Sequence, residues 1–81
     1  MRVDKFLKVS RLIKRRAVAK DACLQARITI NGRTAKAGSE VKIGDVITIQ
    51  WGNSTLSARV LKLSESSKKE DAETMYEIIV L

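Results

Sequence analysis

The residues best equipped for chemistry are Lys14, Arg15 and Arg16, three adjacent cations in a stretch already rich in them. An arginine guanidinium binds a phosphate through two parallel N–H donors, and a lysine ammonium adds a mobile point charge. Arg2, Lys5, Lys8 and Arg11 precede this triplet at regular spacing, and Lys20 follows it. Only Asp4 and Asp21 lie among them. Two carboxylates cannot neutralise so many cations, so the pattern points to an external polyanion. If about five phosphates are engaged, affinity should fall steeply with salt. Asp4 has two roles open to it: capping the first helical turn, or orienting an arginine at the interface. The candidate binding set is therefore Arg2, Asp4, Lys5, Lys8, Arg11, Lys14, Arg15, Arg16 and Lys20.

The rest of the inventory argues against catalysis. There is no histidine and one cysteine, Cys23, so imidazole chemistry and cysteine-based metal sites are not expected. Ser64, Ser66 and Ser67 lack a base, and Glu65, Glu70, Asp71 and Glu73 lie in a polar stretch. Gly32-Arg33-Thr34 is not a phosphate-binding loop. No catalytic residue, metal or cofactor is expected, and Cys23 reads as a small core residue. Phe6, Trp51 and Tyr76 are the whole aromatic complement. That is sparse for a protein that stacks splayed bases, so folded RNA read through shape and phosphates is the expected ligand. Phe6 falls at core spacing; Trp51 suits either a rim or a core cap. No apolar run reaches ~18 residues, and no apolar leader follows the basic N-terminus, so neither a membrane span nor secretion is expected. The basic helix is too narrowly apolar for membrane-surface binding. A cytoplasmic binding protein is the expectation.

The elements that must position these residues follow from the spacing. The chain has 81 residues and a net charge of +7, enough for one domain. Residues 1–36 hold eleven basic and two acidic residues, whereas residues 37–81 hold five and seven. Val3, Phe6, Leu7, Leu12 and Ile13 predict a helix over 3–13. A second helix is predicted from Arg15 or Arg16 to Gln25, with Val18, Ala22 and Cys23 sharing its buried face. Cations in its first turn oppose the helix dipole, a local cost that an external anion would relieve. After residue 26 the period changes to two. Ile28 and Ile30 lead into the Asn31-Gly32 turn, and Gly44-Asp45 precedes a strand over 46–49. Strands are also predicted at 55–63 and 75–80, with a loop from Ser64 to Asp71. The order, helices then strands, is an α+β layout.

Several of these segments together resemble the S4 RNA-binding domain. They are Arg2-Val3-Asp4-Lys5-Phe6-Leu7, Arg11, Arg15-Arg16-Ala17, Gln25 to Gly32, and Val41-Lys42-Ile43-Gly44-Asp45. The resemblance implies two helices packed on a small, mainly antiparallel sheet. It divides the chain into an S4 core at 1–50 and a C-terminal β extension at 51–81. It also implies RNA contacts at Arg2, Lys5, Arg11, Arg15 and Arg16, with Asp4 as the motif acid. Residues 67–72 with Met75-Tyr76-Glu77-Ile78 are similar to the tail of a stand-alone S4 subfamily, the RqcP-like ribosome-associated quality-control proteins. That subfamily is related to the fifteen-kilodalton heat-shock protein. This similarity implies the partners: the split large ribosomal subunit with its 23S rRNA, peptidyl-tRNA, and RqcH, during alanine tailing of stalled chains. A monomer is expected on so large and asymmetric a particle. The alternatives are a heat-shock-type factor acting without tailing, or an S4 module on other structured RNA. Three positions depart from the family pattern: Val3 for Leu, Ala26 for Gly, and Ile43 for Pro. Of these, Ala26 would carry a cost of roughly 1 kcal/mol if the turn there is left-handed.

Overall fold

The computed structural model describes residues 1–65 and 68–80. Two helices, α1 (Val3–Val9) and α2 (Arg16–Leu24), come first. Strands β1 (Ile28–Ile30), β2 (Arg33–Thr34), β3 (Val46–Trp51) and β4 (Ser54–Val60) follow, then α3 (Lys69–Glu73) and β5 (Tyr76–Ile79). The strands form one antiparallel sheet in the order β2-β1-β3-β4-β5. Ile28, Ile47, Ile49 and Val60 share a core with Val3, Phe6 and Leu7 of α1 and Ala19, Ala22 and Cys23 of α2. The α+β layout read from the sequence, two helices packed on a mainly antiparallel sheet, is the observed one.

The first helix stops four residues earlier than its apolar spacing predicts. Ser10 closes α1 by donating its N–H to the Phe6 carbonyl at 2.9 Å, and Arg11 then takes a left-handed conformation, φ 62°. The chain folds back so that the Ile13 N–H reaches the Leu7 carbonyl at 3.0 Å, and Ile13 is buried. Leu12 and Ile13 continue the apolar period, but a sharp reversal rather than a helix carries Ile13 inward. No glycine announces it. In α2 the buried stripe is Ala19, Ala22 and Cys23, while Val18 stays exposed, contrary to the predicted face. Val18 lies about 100° around the helix from Ala19 and so misses the sheet.

The turns are where the sequence is most explicit. Asn31 and Gly32 have φ of 52° and 82°, the paired positive values of a tight hairpin turn. The Asn31 Oδ1 accepts the Val46 N–H at 2.9 Å, and its Nδ2 donates to Asp45 Oδ1 at 3.0 Å. Asp45 Oδ2 accepts the Lys42 N–H at 2.9 Å, so the two predicted turns are clasped together. Ala26 ends α2 at φ 57°. An L-residue is strained there by its Cβ, so Ala26→Gly should raise stability by about 0.5–1 kcal/mol despite the greater unfolded-state entropy of glycine. Thermal unfolding that moved down rather than up by a few degrees would contradict this.

The C-terminal third departs from the predicted boundaries. β4 ends at Val60, not 63, because Leu61 and Lys62 both turn their N–H groups to the single Met75 carbonyl. Part of the predicted Ser64–Asp71 loop is the short helix α3, which buries Ala72; Ser66 and Ser67 lie outside the described residues. β5 begins at Tyr76, since Met75 turns fully into the core. At the other end of the chain, the Val3 N–H donates to the Ser39 carbonyl at 2.7 Å and the Val41 N–H to the Met1 carbonyl at 2.9 Å. The N-terminal amine meets Glu40 Oε2 at 2.9 Å. These contacts hold the start of α1 against residues 37–41.

Candidate nucleic-acid interface

Both helices begin just after an extended arginine or on one. Arg2 has φ −68° and ψ 145° before α1, and Arg15 has φ −120° and ψ 130° before α2, whose first residue is Arg16. Packing α1 against α2 brings Arg2 and Arg16 to the same carboxylate. Arg2 Nη2 donates to Asp4 Oδ2 at 3.4 Å, with its Nε 3.3 Å from Oδ1. Arg16 Nη2 donates to Asp4 Oδ1 at 3.4 Å, with its Nε 3.3 Å from Oδ2. The Asp4 side chain is 0% exposed, while those of Arg2 and Arg16 are 49% and 41% exposed. Each guanidinium therefore has one side on a buried anion and the other toward solvent.

Asp4 also serves the first turn of its own helix, as its position allowed. Its Oδ1 also accepts the Lys5 N–H at 2.8 Å, which satisfies a first-turn donor of α1. Burial pushes its carboxyl up. The Arg16 hydrogen bond, the Lys5 N–H and the charges of Arg16 and Arg2 outweigh that and hold it below the usual carboxylate value. The Arg16 Nε is buried and has no aligned hydrogen-bond acceptor among the described residues. The contact of this Nε with Asp4 is thus one of charge, and the buried atom is closed to any ligand.

The other predicted cations divide. Lys14 and Arg15 are exposed in the segment between the helices, and neither pairs with a described carboxylate. Lys8 and Lys20 are exposed on the outer sides of α1 and α2, and Arg11 is exposed at the reversal. Lys5 differs, because its ammonium donates to Glu65. That hydrogen bond, and then the charge behind it, hold the Glu65 carboxyl low. Glu65 is a member of the site that sequence reasoning missed. It is 60 positions from Lys5, so no local spacing could have signalled the pair. Glu40, whose carboxyl is held low by the N-terminal amine, was missed for the same reason.

Other single residues resolve simply. Phe6 is in the core; Cys23 is buried, and burial together with the Asp4 charge pushes its thiol up, away from reactivity. Trp51 is 40% exposed at the end of β3, a rim position. Among the described residues no cluster of His, Cys, Asp or Glu could hold a metal ion, and no helix is long and apolar enough to cross a membrane.

The sequence and the fold have counterparts. The S4 domain family pattern matches residues 1–47. The RQC P-site tRNA stabilizing factor of Halalkalibacterium halodurans is 53% identical over 78 residues, 96% of this chain and 89% of that protein. Its namesake in Bacillus subtilis is 53% identical over 79 residues, 98% of this chain and 92% of that protein. Among solved structures, the trimeric Heat Shock Protein 15 of Vibrio cholerae superposes with a TM-score of 0.89 at 28% identity, covering 98% of this chain and 81% of that one.

Proposed function

The chain belongs to the S4 domain family, grouped with the RQC P-site tRNA stabilizing factors, and on that premise we propose that it is an RNA-binding factor of ribosome-associated quality control. It binds the split large ribosomal subunit that still carries peptidyl-tRNA, contacts the tRNA and 23S rRNA, and supports alanine tailing of the stalled chain together with RqcH. It makes and breaks no bond itself. Its work is positioning, in the cytoplasm, as a monomer.

The observation that carries this reading is the Arg2–Asp4–Arg16 cluster beside Lys14 and Arg15, neither of which pairs with a described carboxylate. Two guanidinia held at fixed orientation by a buried anion suit a ligand whose phosphates are themselves fixed, as in folded RNA. Lys8, Arg11 and Lys20 widen the field around them, and Lys5 joins once an RNA phosphate displaces Glu65. The shape likeness to Heat Shock Protein 15 favours a second reading, in which the same face holds peptidyl-tRNA on the large subunit without tailing. The higher identity to the tRNA stabilizing factors ranks the first above it.

The test is cross-linking of the tagged protein to RNA in cells, followed by sequencing, with a strain lacking the gene assayed for alanine tails on a stalled reporter. Reads on tRNA plus one patch of 23S rRNA, with tails lost in the deletion, are the expected result. The same reads with tails unchanged select the heat-shock-type reading. Reads scattered over mRNA overturn both.

A further inference from the structure

β5 is an open edge of the sheet: β4 pairs it on one side, and no described strand pairs it on the other. The Leu61 N–H donates to the Met75 carbonyl at 2.8 Å, which marks residues 61 and 75 as a bonded pair. Bonded and non-bonded pairs alternate along an antiparallel ladder. With Arg59 opposite Glu77 and Ala58 opposite Ile78, Glu77 and Ile79 bond inward, while Tyr76 and Ile78 turn their N–H and C=O groups outward. Natural edges are blunted by brevity, charge or proline. β2, the opposite edge, is only two residues long and carries Arg33. β5 is longer, and its one charge, Glu77, is paired inward with Arg59 at 2.9 Å.

The side chains make this edge receptive. Ile78 is 51% exposed and Val80 92%. Both follow the parity of the core-facing side of the sheet, beyond the part that α1 and α2 cover. A cavity of about 430 Å³ lies here, lined by Thr55, Leu56, Ser57, Ile78, Ile79 and Val80. The local charge is opposite to that of the helices. Residues 68–80 hold Glu70, Asp71, Glu73 and Glu77 against Lys68 and Lys69, a net charge of −2, with Glu77 shared with Arg59. Phosphates are repelled from such an edge and cationic side chains are drawn to it.

We propose that β5 takes up an extended segment of a partner protein as a further strand, one in which apolar and basic residues alternate. Its main chain bonds the outward groups of Tyr76 and Ile78. Its apolar residues cover Ile78 and Val80, and its basic residues fall on the other side of the sheet, beside Glu77. The RNA face stays free, so the protein can hold RNA and a protein partner at once. This inference goes beyond the RNA reading and does not depend on it.

The test places a photo-cross-linking amino acid at Val80, whose exposure spares the core, in the full-length protein in cells. The cross-linked peptides are sequenced. The expected result is a recurring segment of one protein with alternating apolar and basic residues. Its yield should fall roughly tenfold when Ile78→Lys is added, as for loss of a central anchor. The melting temperature of that variant should stay within a few degrees of the wild type, which reports that it folds; Glu77→Lys is a second variant in case it does not. Cross-links mainly between copies of this chain would make the edge a self-assembly surface instead. Cross-links to RNA, cross-links spread over many proteins with no common segment, or none at all would overturn the proposal.

Discussion

On the proposed function, replacing Lys14 and Arg15 together by glutamine is expected to lower affinity for the large ribosomal subunit about thirtyfold at ~0.15 M salt and to leave the melting temperature unchanged. Each phosphate neutralised by a cation contributes roughly a fivefold gain at that salt through counterion release. Two lost contacts therefore multiply to about thirtyfold, and the slope of log affinity against log salt falls by about two. Stability is spared because both side chains are exposed and neither pairs with a described carboxylate. Cosedimentation across a salt series measures both quantities. An unchanged slope would place the RNA elsewhere, whatever the change in affinity. Arg16 is a poorer first choice for this experiment. Reversing its charge would set a second carboxylate against the buried Asp4 and disturb the fold as well as the surface.

Asp4→Asn separates the two properties in the opposite sense. The substitution adds one positive charge to the protein, which by long-range attraction alone would strengthen RNA binding. The expected result is weaker binding, by about tenfold, because Arg2 and Arg16 lose the anion that orients them. Stability falls by about 2 kcal/mol, the usual scale for losing a buried hydrogen-bonded charge whose partners can recover some hydration. The partners' 49% and 41% exposure is what permits that recovery. Acid supplies an independent check. The Asp4 carboxyl titrates below its usual value in the folded protein. Its stabilisation is therefore complete above the unfolded value, about pH 3.9, and is lost as pH falls through the folded one. Wild-type and Asp4→Asn stabilities should differ at neutral pH and converge below about pH 4. A gap that persisted in acid would mean that packing, not charge, explains the loss. RNA binding that rose with the added charge would mean that orientation of the arginines is unimportant.

How much of this was legible in the sequence depends on the range of the interaction concerned. The Asn31-Gly32 and Gly44-Asp45 turns were readable because positive φ is a preference of the residues themselves. The buried face of α1 was readable because Val3, Phe6 and Leu7 repeat at the helical period. The end of α1 was not, since Arg11 takes a left-handed conformation without any residue type that favours it. The error at Val18 has a related cause. Val18 and Ala19 are both compatible with a buried helix face, and the direction from which the sheet approaches decides between them. The short α3 went unread because it is held by burial of Ala72 and Met75 rather than by its own periodicity.

The sequence by itself determined the α+β order, the positions of the tight turns, and the concentration of positive charge in the first 36 residues. These depend on composition, periodicity and backbone preference, which act within a few residues. Only the tertiary structure decided that Asp4 would be shared by two arginines, that Lys5 would meet Glu65, and that β5 would be left as an open edge. Each of these follows from docking elements distant along the chain, and a side chain cannot report its eventual partner until that docking has set the distance between them.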